Sequence, residues 1–474
     1  MRDVLAFDQR PIIQQWAQCA WGQLSISLLA ALALWPHLSL GEIGFALGSA
    51  MFIARRDSDR SAWLLMATWV AAFLSAGLGW TDLSERIDAV KSTEGISGVS
   101  AHALAVGSVA VCGLWARLCL GCAARWPKSV LARRPLLSQL ALMGTLICVV
   151  GCDVTGGWPR LIVWSWVLAW APYVWFMPYA ITQARSGATT SLWMPLGQLR
   201  AFWSPTYFAV GKLGPYLDRH LGKTAQELAV TQLKGVKLLL WASAIHALHA
   251  FIDRWVAPEF PALETSIDAW LAGHPYPVSS EWTSLLISNV GYSLDIAMWL
   301  NLFVGMARLA GYRLPRASWR PLESKTLLDY FNRFNFYFKE MLVDLFFIPT
   351  FFKFFKSHPR LRMFFATFMA AGVGNALWHF CRDLHLIHQQ GWVATLHGFT
   401  SYLFYCLVLA TGIAVSQVRI TMGIKPPTTW SGRIKAVVLI WTFVTLLRLF
   451  SDLSLPHSLL DRLSFLTSLF GCHP

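Results

Sequence analysis

Residues 361–381 read LRMFFATFMAAGVGNALWHFC, an apolar run that is long enough to cross a bilayer as a helix. A histidine inside hydrocarbon is costly and is rarely retained without a function, which makes His379 a candidate functional residue. Small and polar residues recur around it at steps of three or four, so a helix places them on one face: Gly372, Asn375, Ala376, His379 and Asp383. Such a face is expected to contact protein or a water-filled cavity, and the simplest alternative is a packing face with one hydrogen-bonded histidine.

Apolar runs of this kind recur along the whole chain. The 474 residues are 55% hydrophobic and 14% charged, whereas a soluble protein of this size carries roughly 25% charged residues. The spans predicted from these runs are 20–36, 39–54, 62–80, 102–123, 135–150, 159–183, 236–252, 282–306, 361–381, 392–416, 434–450 and 456–471. The sequence therefore predicts an all-α, polytopic integral membrane protein with about 12 transmembrane helices.

Loop charges alternate along the chain. Bases outnumber acids in loops such as Arg125–Arg134 and Arg308–Lys339, and acids outnumber bases in Asp82–Glu94 and Asp253–Glu281. Because cytoplasmic loops are enriched in Lys and Arg, this alternation predicts that both termini are cytoplasmic. The net charge of +14 is therefore a topology signal and a source of attraction to lipid headgroups. It does not indicate nucleic-acid binding, since the sequence predicts no soluble domain that would carry this function.

Two stretches do not fit a simple series of crossings. Met341–Phe355 is apolar and aromatic, but basic residues flank it on both sides. A re-entrant segment explains this pattern, because non-spanning backbone is tolerated at membrane depth where it lines a cavity. A surface amphipathic helix is the alternative. Residues 184–235 mix prolines with Trp and Tyr, which predicts short interfacial helices on the cytoplasmic side.

Five short motifs follow one another in the C-terminal half. They are GYRLP at Gly311–Pro315, DYFNRFNFYF at Asp329–Phe338, LVDLFFIP at Leu342–Pro349, LWH at Leu377–His379 and LHG at Leu396–Gly398. The series resembles the membrane-bound O-acyltransferase family, whose bacterial members read GYRLP, DFWRRWH, LRDYxYIP, GLWHG and LHG. We therefore predict one membrane domain, 1–474, with variable N-terminal helices (1–300), an acyltransferase-like core (305–400) and C-terminal helices (401–474). The resemblance also implies the inner (cell) membrane of a bacterium.

The resemblance implies roles for individual residues. His379 falls on the family's catalytic histidine, and Asn335 falls on its second position, which is Asn in the branch that esterifies sterols and glycerolipids. Asp344 matches the acid of the third motif, although Val343 and Leu345 replace the family's Arg and Tyr. These roles agree with the chemistry, since a neutral histidine accepts the proton of an attacking hydroxyl and an amide donates to a developing oxyanion. We therefore predict an O-acyltransferase with His379 as general base and Asn335 as the orienting group.

The acyl donor is predicted to be a cytoplasmic thioester, either acyl-CoA or an acyl carrier protein, and the acceptor a hydroxyl of a lipid, glycan or hydrophobic metabolite. The predicted donor phosphate-binding residues are Lys339, Lys353, Lys356 and Arg360, for which topology and headgroup binding are the alternative roles. The predicted substrate-tunnel residues are Trp378, Asn375, Asp344, Asp295 and Asn289. Neither a metal nor a bound cofactor is expected. The expected partners are membrane lipids and the two substrates, with a second copy of the chain as a further candidate.

A second class of function is compatible with the same features. Asn289, Tyr292 and Asp295 recur at steps of three within one predicted span, and an intramembrane acid is a functional candidate by default. A polytopic transporter or flippase without covalent chemistry would also use such groups. A di-iron hydroxylase is disfavoured, because the chain lacks the repeated histidine boxes that two irons need.

Overall fold

Helices form the whole architecture that the computed structural model describes, which covers residues 4–56, 59–151, 156–187, 191–204, 207–208, 210, 212 and 214–472. Within these ranges the only β-type pairing is an isolated antiparallel bridge between Leu221 and Tyr312. The predicted all-α class is therefore confirmed for the described residues. Six of their helices are long and apolar enough to cross a membrane: Ala101–Arg125, Ala225–Leu271, Val278–Leu309, Pro359–Arg382, His385–Thr421 and Trp430–Ser451.

The number of crossings predicted from the sequence is not confirmed. A seventh span results if Gly157–Trp175 and Met177–Arg185, which meet at a bend of 62°, are counted together. Three further apolar helices, Ala20–Leu34, Leu40–Ala54 and Pro135–Gly151, are shorter than 18 residues. At 1.5 Å per residue, helices of this length reach less than the roughly 30 Å of the hydrocarbon core. Hydropathy alone does not distinguish them from complete spans.

The chain divides into two compact units. The first unit comprises Met1–Leu240, Leu302–Pro315 and Cys381–Gly391, and the second comprises Trp241–Asn301, Arg316–Phe380 and Trp392–Pro474. The α-helices that lie mainly in the first unit are Pro11–Trp16, Ala20–Leu34, Leu40–Ala54, Arg60–Gly77, Leu83–Thr93, Ala101–Arg125, Val130–Arg133, Pro135–Gly151, Gly157–Trp170, Met177–Arg185, Met194–Leu199, Gly214–Arg219 and Ala225–Phe251. The single predicted domain and its three sequence segments stay a prediction.

The second unit contains the longest helices and three short π-helices. Its α-helices are Leu263–Leu271, Val278–Leu309, Leu327–Arg333, Phe336–Leu342, Ile348–Lys353, Pro359–Phe368, Asn375–Arg382, His385–Thr421, Trp430–Ser451 and Leu459–Ser468. The π-helices are Ile252–Val256, Val343–Phe347 and Met369–Gly374. Helical segments with this wider winding are rare and occur often at functional sites.

In the first unit, the helix Met194–Leu199 lies inside the protein. Its last five residues are buried, and the Gly197 carbonyl accepts a 2.8 Å hydrogen bond from the Thr68 hydroxyl. A Cβ atom at Gly197 would lie 2.2 Å from the Cα of Leu65, so the close approach of the two backbones requires glycine here. The prediction of interfacial helices is wrong for this segment, because its apolar residues pack against another helix and do not face headgroups.

The GYRLP motif builds a structural feature of the first unit that we call the latch, formed by residues 220–222 and 311–314. The Gly222 amide donates to the Gly311 carbonyl at 2.9 Å, and Arg313 donates to His220 at 2.6 Å between backbone atoms. Gly311 has φ +91°, which favours glycine. Four side chains support this arrangement: Arg60 donates to the Gly222 carbonyl, Arg308 to the Leu314 carbonyl, Arg313 pairs with Glu227, and Tyr312 is fully buried.

The second unit contains two antiparallel helical arms, residues 336–353 and 359–380, which we call the hairpin. Ring contacts join the two arms at one end, where Phe338 and Trp378 lie 4.7 Å apart, and near the other end Phe354, which follows the first arm, lies 5.6 Å from Phe365 of the second arm. Between these contacts, a Cβ atom at Gly374 would lie 2.7 Å from the Phe346 ring, so glycine permits the close packing there. Each arm contains one of the π-helices, and the two π-helices pack against each other.

The first arm contains most of Met341–Phe355, the segment predicted to be re-entrant. The first arm is about 27 Å long at 1.5 Å per residue. It carries four charged residues: Lys339, Glu340, Asp344 and Lys353. A lipid-exposed crossing tolerates few such charges, whereas a helix that is packed on protein and reached by water tolerates them. The re-entrant path stays a prediction.

Candidate functional site

His379 lies near the end of the second arm, in an aromatic enclosure. It is only 8% exposed. Its ring centroid lies 4.3 Å from that of Tyr402, 4.6 Å from Trp378 and 6.4 Å from Phe338. Three different elements supply these rings: the two arms of the hairpin and the helix His385–Thr421. A buried imidazole among rings is held in one orientation and has limited access to water.

The face of small and polar residues contacts protein, as predicted. A Cβ atom at Gly372 would lie 3.0 Å from the Ala410 Cβ, and Ala376 belongs to a buried cluster with Tyr402. The small residues therefore let the second arm approach the helix His385–Thr421 closely. Asp383 departs from this pattern, because it follows the helix end and accepts two hydrogen bonds from the neighbouring Arg382.

Asn335 is at the start of the first arm, at the same end of the hairpin as His379. It precedes Phe338 by about 4.5 Å of helix rise, and the Phe338 ring contacts the His379 ring. Its backbone has φ +55°, a left-handed conformation in which Asn is enriched. Although Asn335 occupies the N-cap position, its side chain makes no capping hydrogen bond. A helix-capping role for the Asn335 side chain is therefore disfavoured.

Two amide oxygens near this end of the hairpin lack donors. The buried Oδ1 atoms of Asn335 and Asn375 accept no hydrogen bond from the described residues. Asn375 is 4% exposed and lies four residues before His379, so both side chains lie on one helix face. A buried polar atom without a partner costs free energy and calls for an explanation, such as a bound substrate or water.

Trp378 and Asp344, two of the predicted tunnel residues, lie on the hairpin. Trp378 is buried, and its ring lies between those of Phe338 and His379. Asp344 belongs to the π-helix of the first arm, two residues before Phe346, whose ring packs on Gly374. Asp344 lies about 13 Å of helix from Asn335, and a spacing of two residues puts its side chain on a different helix face from that of Phe346.

Asn289 and Asp295 contact different neighbours. Asn289 is fully buried and donates to the Thr445 hydroxyl at 3.0 Å. Asp295 forms a hydrogen bond with Trp299 and lies close to two histidines of the preceding long helix. Each step of three residues turns a helix about 60° short of a full turn, so six residues separate the two side chains by about 120°. None of these contacts involves the hairpin.

Sequence reasoning missed two features of the second unit. The first is Tyr402, the nearest ring to His379, and the only signal for it was a tyrosine within an apolar span. The second is Arg448, which pairs with Asp452, donates to Ser288 at 3.1 Å and lies 4.4 Å above the Tyr292 ring. An arginine inside a predicted span would have indicated such a buried pair.

The four basic residues predicted to bind the donor lie at two separate places. Lys339 is near Asn335, where it pairs with Glu340 at 2.6 Å. Lys353, Lys356 and Arg360 are exposed in the hairpin tip, residues 353–360. About 21 Å of helix separate Lys339 from Lys353, so all four cannot hold one phosphate group.

Within the described ranges, no group of three or more His, Cys, Asp or Glu side chains is arranged to hold a metal ion. The chain matches no model of a known protein family and no curated protein sequence. The resemblance to membrane-bound O-acyltransferases therefore rests on the five motifs alone, and the geometry around His379 is the independent basis for inferring a function.

Proposed function

We propose that this protein is a membrane-bound O-acyltransferase that moves an acyl group from a cytoplasmic thioester to a hydroxyl of a lipid, glycan or hydrophobic metabolite. The observation that supports it best is the convergence of His379 and Asn335 at one end of the hairpin. The His379 ring contacts Phe338, which follows Asn335 by three residues, and two buried amide oxygens in this region accept no hydrogen bond from the described residues. A site for a ligand with hydroxyl and carbonyl groups accounts for this arrangement.

In the proposed mechanism, His379 acts as the general base. It takes the proton of the acceptor hydroxyl while the hydroxyl oxygen attacks the thioester carbonyl carbon. The Asn335 amide N–H donates to the carbonyl oxygen as negative charge develops there. When the C–S bond breaks, the ester is formed, and the thiolate leaves with the proton that His379 returns.

The other residues of the enclosure position the reactants. The Asn375 oxygen accepts a hydrogen bond from a donor group of the acceptor other than the attacking hydroxyl, whose one proton goes to His379, and so orients the acceptor toward the thioester. Rings of Phe338, Trp378 and Tyr402 surround His379 and limit hydrolysis by excluding water. Asp344 lines the route along the hairpin in this proposal.

The separation of the basic residues suggests how the donor lies. The phosphates of coenzyme A, or the acidic face of an acyl carrier protein, bind Lys353, Lys356 and Arg360 at the hairpin tip. The acyl thioester then extends along the first arm toward Asn335. In this arrangement the hairpin tip faces the cytoplasm of a bacterial inner-membrane protein, and both chain termini are cytoplasmic.

Lipid extracts of cells test the proposal without knowledge of the acceptor. Mass spectrometry would compare cells that carry the wild type, His379→Ala and His397→Ala at equal membrane abundance. His397 is exposed and belongs to the LHG motif, so it serves as a matched control. We expect an acylated species that disappears only in His379→Ala. Identical extracts from wild-type and His379→Ala cells would argue against the proposal.

A transporter or flippase is the second candidate, and two observations favour it. Asp295 lies close to His246 and His249 within candidate spans, and Arg448 pairs with Asp452. Intramembrane charges of this kind mark ion and proton routes in transporters. An assay of the purified protein with labelled acyl-CoA distinguishes the two functions. Only an acyltransferase releases free thiol in proportion to the acylated product.

A further inference from the structure

Basic side chains collect at one end of the helices of the first unit. Four of them lie between Arg125, the last residue of the candidate span Ala101–Arg125, and Arg134. Arg185 ends the helix Met177–Arg185, which packs against this span, and its guanidinium donates to the Ala132 carbonyl at 3.0 Å. The group, which we call the basic patch, consists of Arg117, Arg125, Lys128, Arg133, Arg134 and Arg185.

Arg117 starts further back on the candidate span but reaches toward the same end. Its Cα lies about 12 Å of helix before that of Arg125. A Cβ atom at Gly121 would lie 3.2 Å from the Arg117 Nη1, so the guanidinium extends along the helix toward Arg125. It also lies 5.4 Å above the Trp193 ring. Long basic side chains extend in this way when their stems lie in hydrocarbon and their charges reach the headgroups.

The basic patch lies in a part of the chain that is poor in acids. Residues 95–152 and 154–217 contain neither Asp nor Glu. Within the described ranges, none of the six basic side chains is paired with a carboxylate. Five of the six are exposed, and Arg117 is partly buried. Clustered charges of one sign create a local potential that attracts ions of the opposite sign, so the basic patch favours an anionic partner.

A topology signal explains only part of this arrangement. Such a signal acts during membrane insertion and depends on the number of bases in a loop. It does not require bases of separate helices to meet in the folded protein. The hydrogen bond from Arg185 to Ala132 and the extended path of Arg117 are properties of the folded state. They indicate a role for the basic patch after insertion.

Apolar surface adjoins the basic patch. Leu118 of the candidate span and Leu137 of the next long helix are exposed. Trp126 and Val130 are exposed within the basic segment itself. Tryptophan is enriched at the boundary between headgroups and hydrocarbon, which is where this end of the span is expected to lie. Clustered bases next to exposed apolar side chains fit a molecule with an anionic head and acyl chains.

We infer that the basic patch binds the headgroup of an anionic phospholipid of the bilayer, whose acyl chains lie on the adjoining apolar side chains. The guanidinium groups donate to the phosphate oxygens, which they match in geometry, and Lys128 adds a further positive charge. Phosphatidylcholine is a poorer ligand, because its choline cation would lie among like charges. The basic patch contains no residue of the hairpin, so the site does not depend on the proposed acyl transfer.

Native mass spectrometry of the full chain in detergent tests this site, with phosphatidylglycerol and phosphatidylcholine as the probes. The test variant carries Gln at Lys128, Arg133 and Arg134. Each base near an anionic lipid contributes about five-fold to binding, so the triple variant is expected to bind phosphatidylglycerol about 100-fold more weakly than the wild type. If the triple variant does not fold, Arg125→Gln is measured alone, with an expected loss of about five-fold.

A matched control removes the same charge from another exposed basic loop, by Gln at Lys425, Arg433 and Lys435. This control and His379→Ala are both expected to bind phosphatidylglycerol as the wild type does. An equal loss in the two triple variants would show a general charge effect and overturn the inference. Wild-type binding by the test variant would assign the bases to topology alone. Phosphatidylcholine bound as tightly as phosphatidylglycerol would likewise exclude an anionic-lipid site.

Discussion

The latch and the hairpin both carry motifs of the resemblance, but their polar groups differ. In the latch, the guanidiniums of Arg60, Arg308 and Arg313 all bind named acceptors, and the backbone atoms pair across it. In the hairpin, the amide oxygens of Asn335 and Asn375 are buried without donors. A motif with satisfied polar groups stabilises a fold, whereas unsatisfied buried groups indicate a place for a ligand. We therefore assign the GYRLP motif a structural role, and the unsatisfied oxygens support the proposed functional role of the residues around His379.

Substitutions at Asn335 are expected to give the largest effect on turnover, and they distinguish a structural role of this residue from a functional one. Because Asn335 has a positive φ, Asn335→Ala both removes the amide and strains the backbone, whereas Asn335→Gly removes the amide without strain. We expect Asn335→Gly to lower turnover by ~10²-fold or more with an unchanged melting temperature. Turnover assays and thermal unfolding would be run on both variants and on Asn335→His, which keeps a donor.

Each outcome of the Asn335 series has a distinct meaning. Normal turnover of Asn335→Gly would show that only the backbone conformation matters and would remove the side chain from the site. Partial activity of Asn335→His would support a role in hydrogen bonding. Reduced stability of Asn335→Ala alone reports the strain of a left-handed alanine, which costs about 1–3 kcal/mol.

The bases of the hairpin tip are expected to give a smaller effect, on donor binding. Replacement of Lys353, Lys356 and Arg360 together by Gln removes three positive charges that lie far from His379. We expect the KM for acyl-CoA to rise about 10-fold with kcat nearly unchanged, since uniform binding is lost and the chemistry is not. The matched control is Lys325, Lys425 and Lys435 replaced by Gln. An equal rise of KM in both triple variants would show a general charge effect.

The latch is expected to respond through stability alone. A Cβ atom at Gly311 would lie 3.1 Å from Leu228 at φ +91°, so Gly311→Ala combines strain with crowding. We expect a loss of about 1–3 kcal/mol in the free energy of unfolding, with unchanged turnover per folded molecule. Gly107→Ala, where a Cβ atom meets nothing within 4 Å, is the control. A lower kcat of folded Gly311→Ala would contradict the structural role of the latch.

Cysteine labelling is expected to locate the two ends of the first arm without changing activity. Lys339→Cys and Ser357→Cys should react with a membrane-impermeant thiol reagent from the same, cytoplasmic side. The reason is that the charged residues along the first arm require water, and the donor must reach Asn335 by that route. Reaction of the two cysteines from opposite sides would show that the arm crosses the bilayer, and it would refute the re-entrant path.

The sequence predicts the helical class and the position of His379, because apolar runs and helical periodicity are local properties. It does not predict the paired π-helices, since these depend on Gly374 meeting Phe346 across the hairpin. For the same reason Tyr402 was missed. The left-handed backbone of Asn335 could not be predicted either, because many asparagines in loops have negative φ angles. Contacts between distant segments therefore account for most of what the sequence did not reveal.

Acyl turnover by purified His379→Ala tests the central claim most directly. The wild type, His379→Ala and His397→Ala would each receive labelled acyl-CoA and a lipid extract of the host cells as acceptor, and thermal unfolding would confirm equal folding. Loss of a general base typically lowers the rate by ~10²–10⁴, so His379→Ala should lose labelled product by this factor while His397→Ala retains it. Labelled product at the wild-type rate from folded His379→Ala would contradict the account.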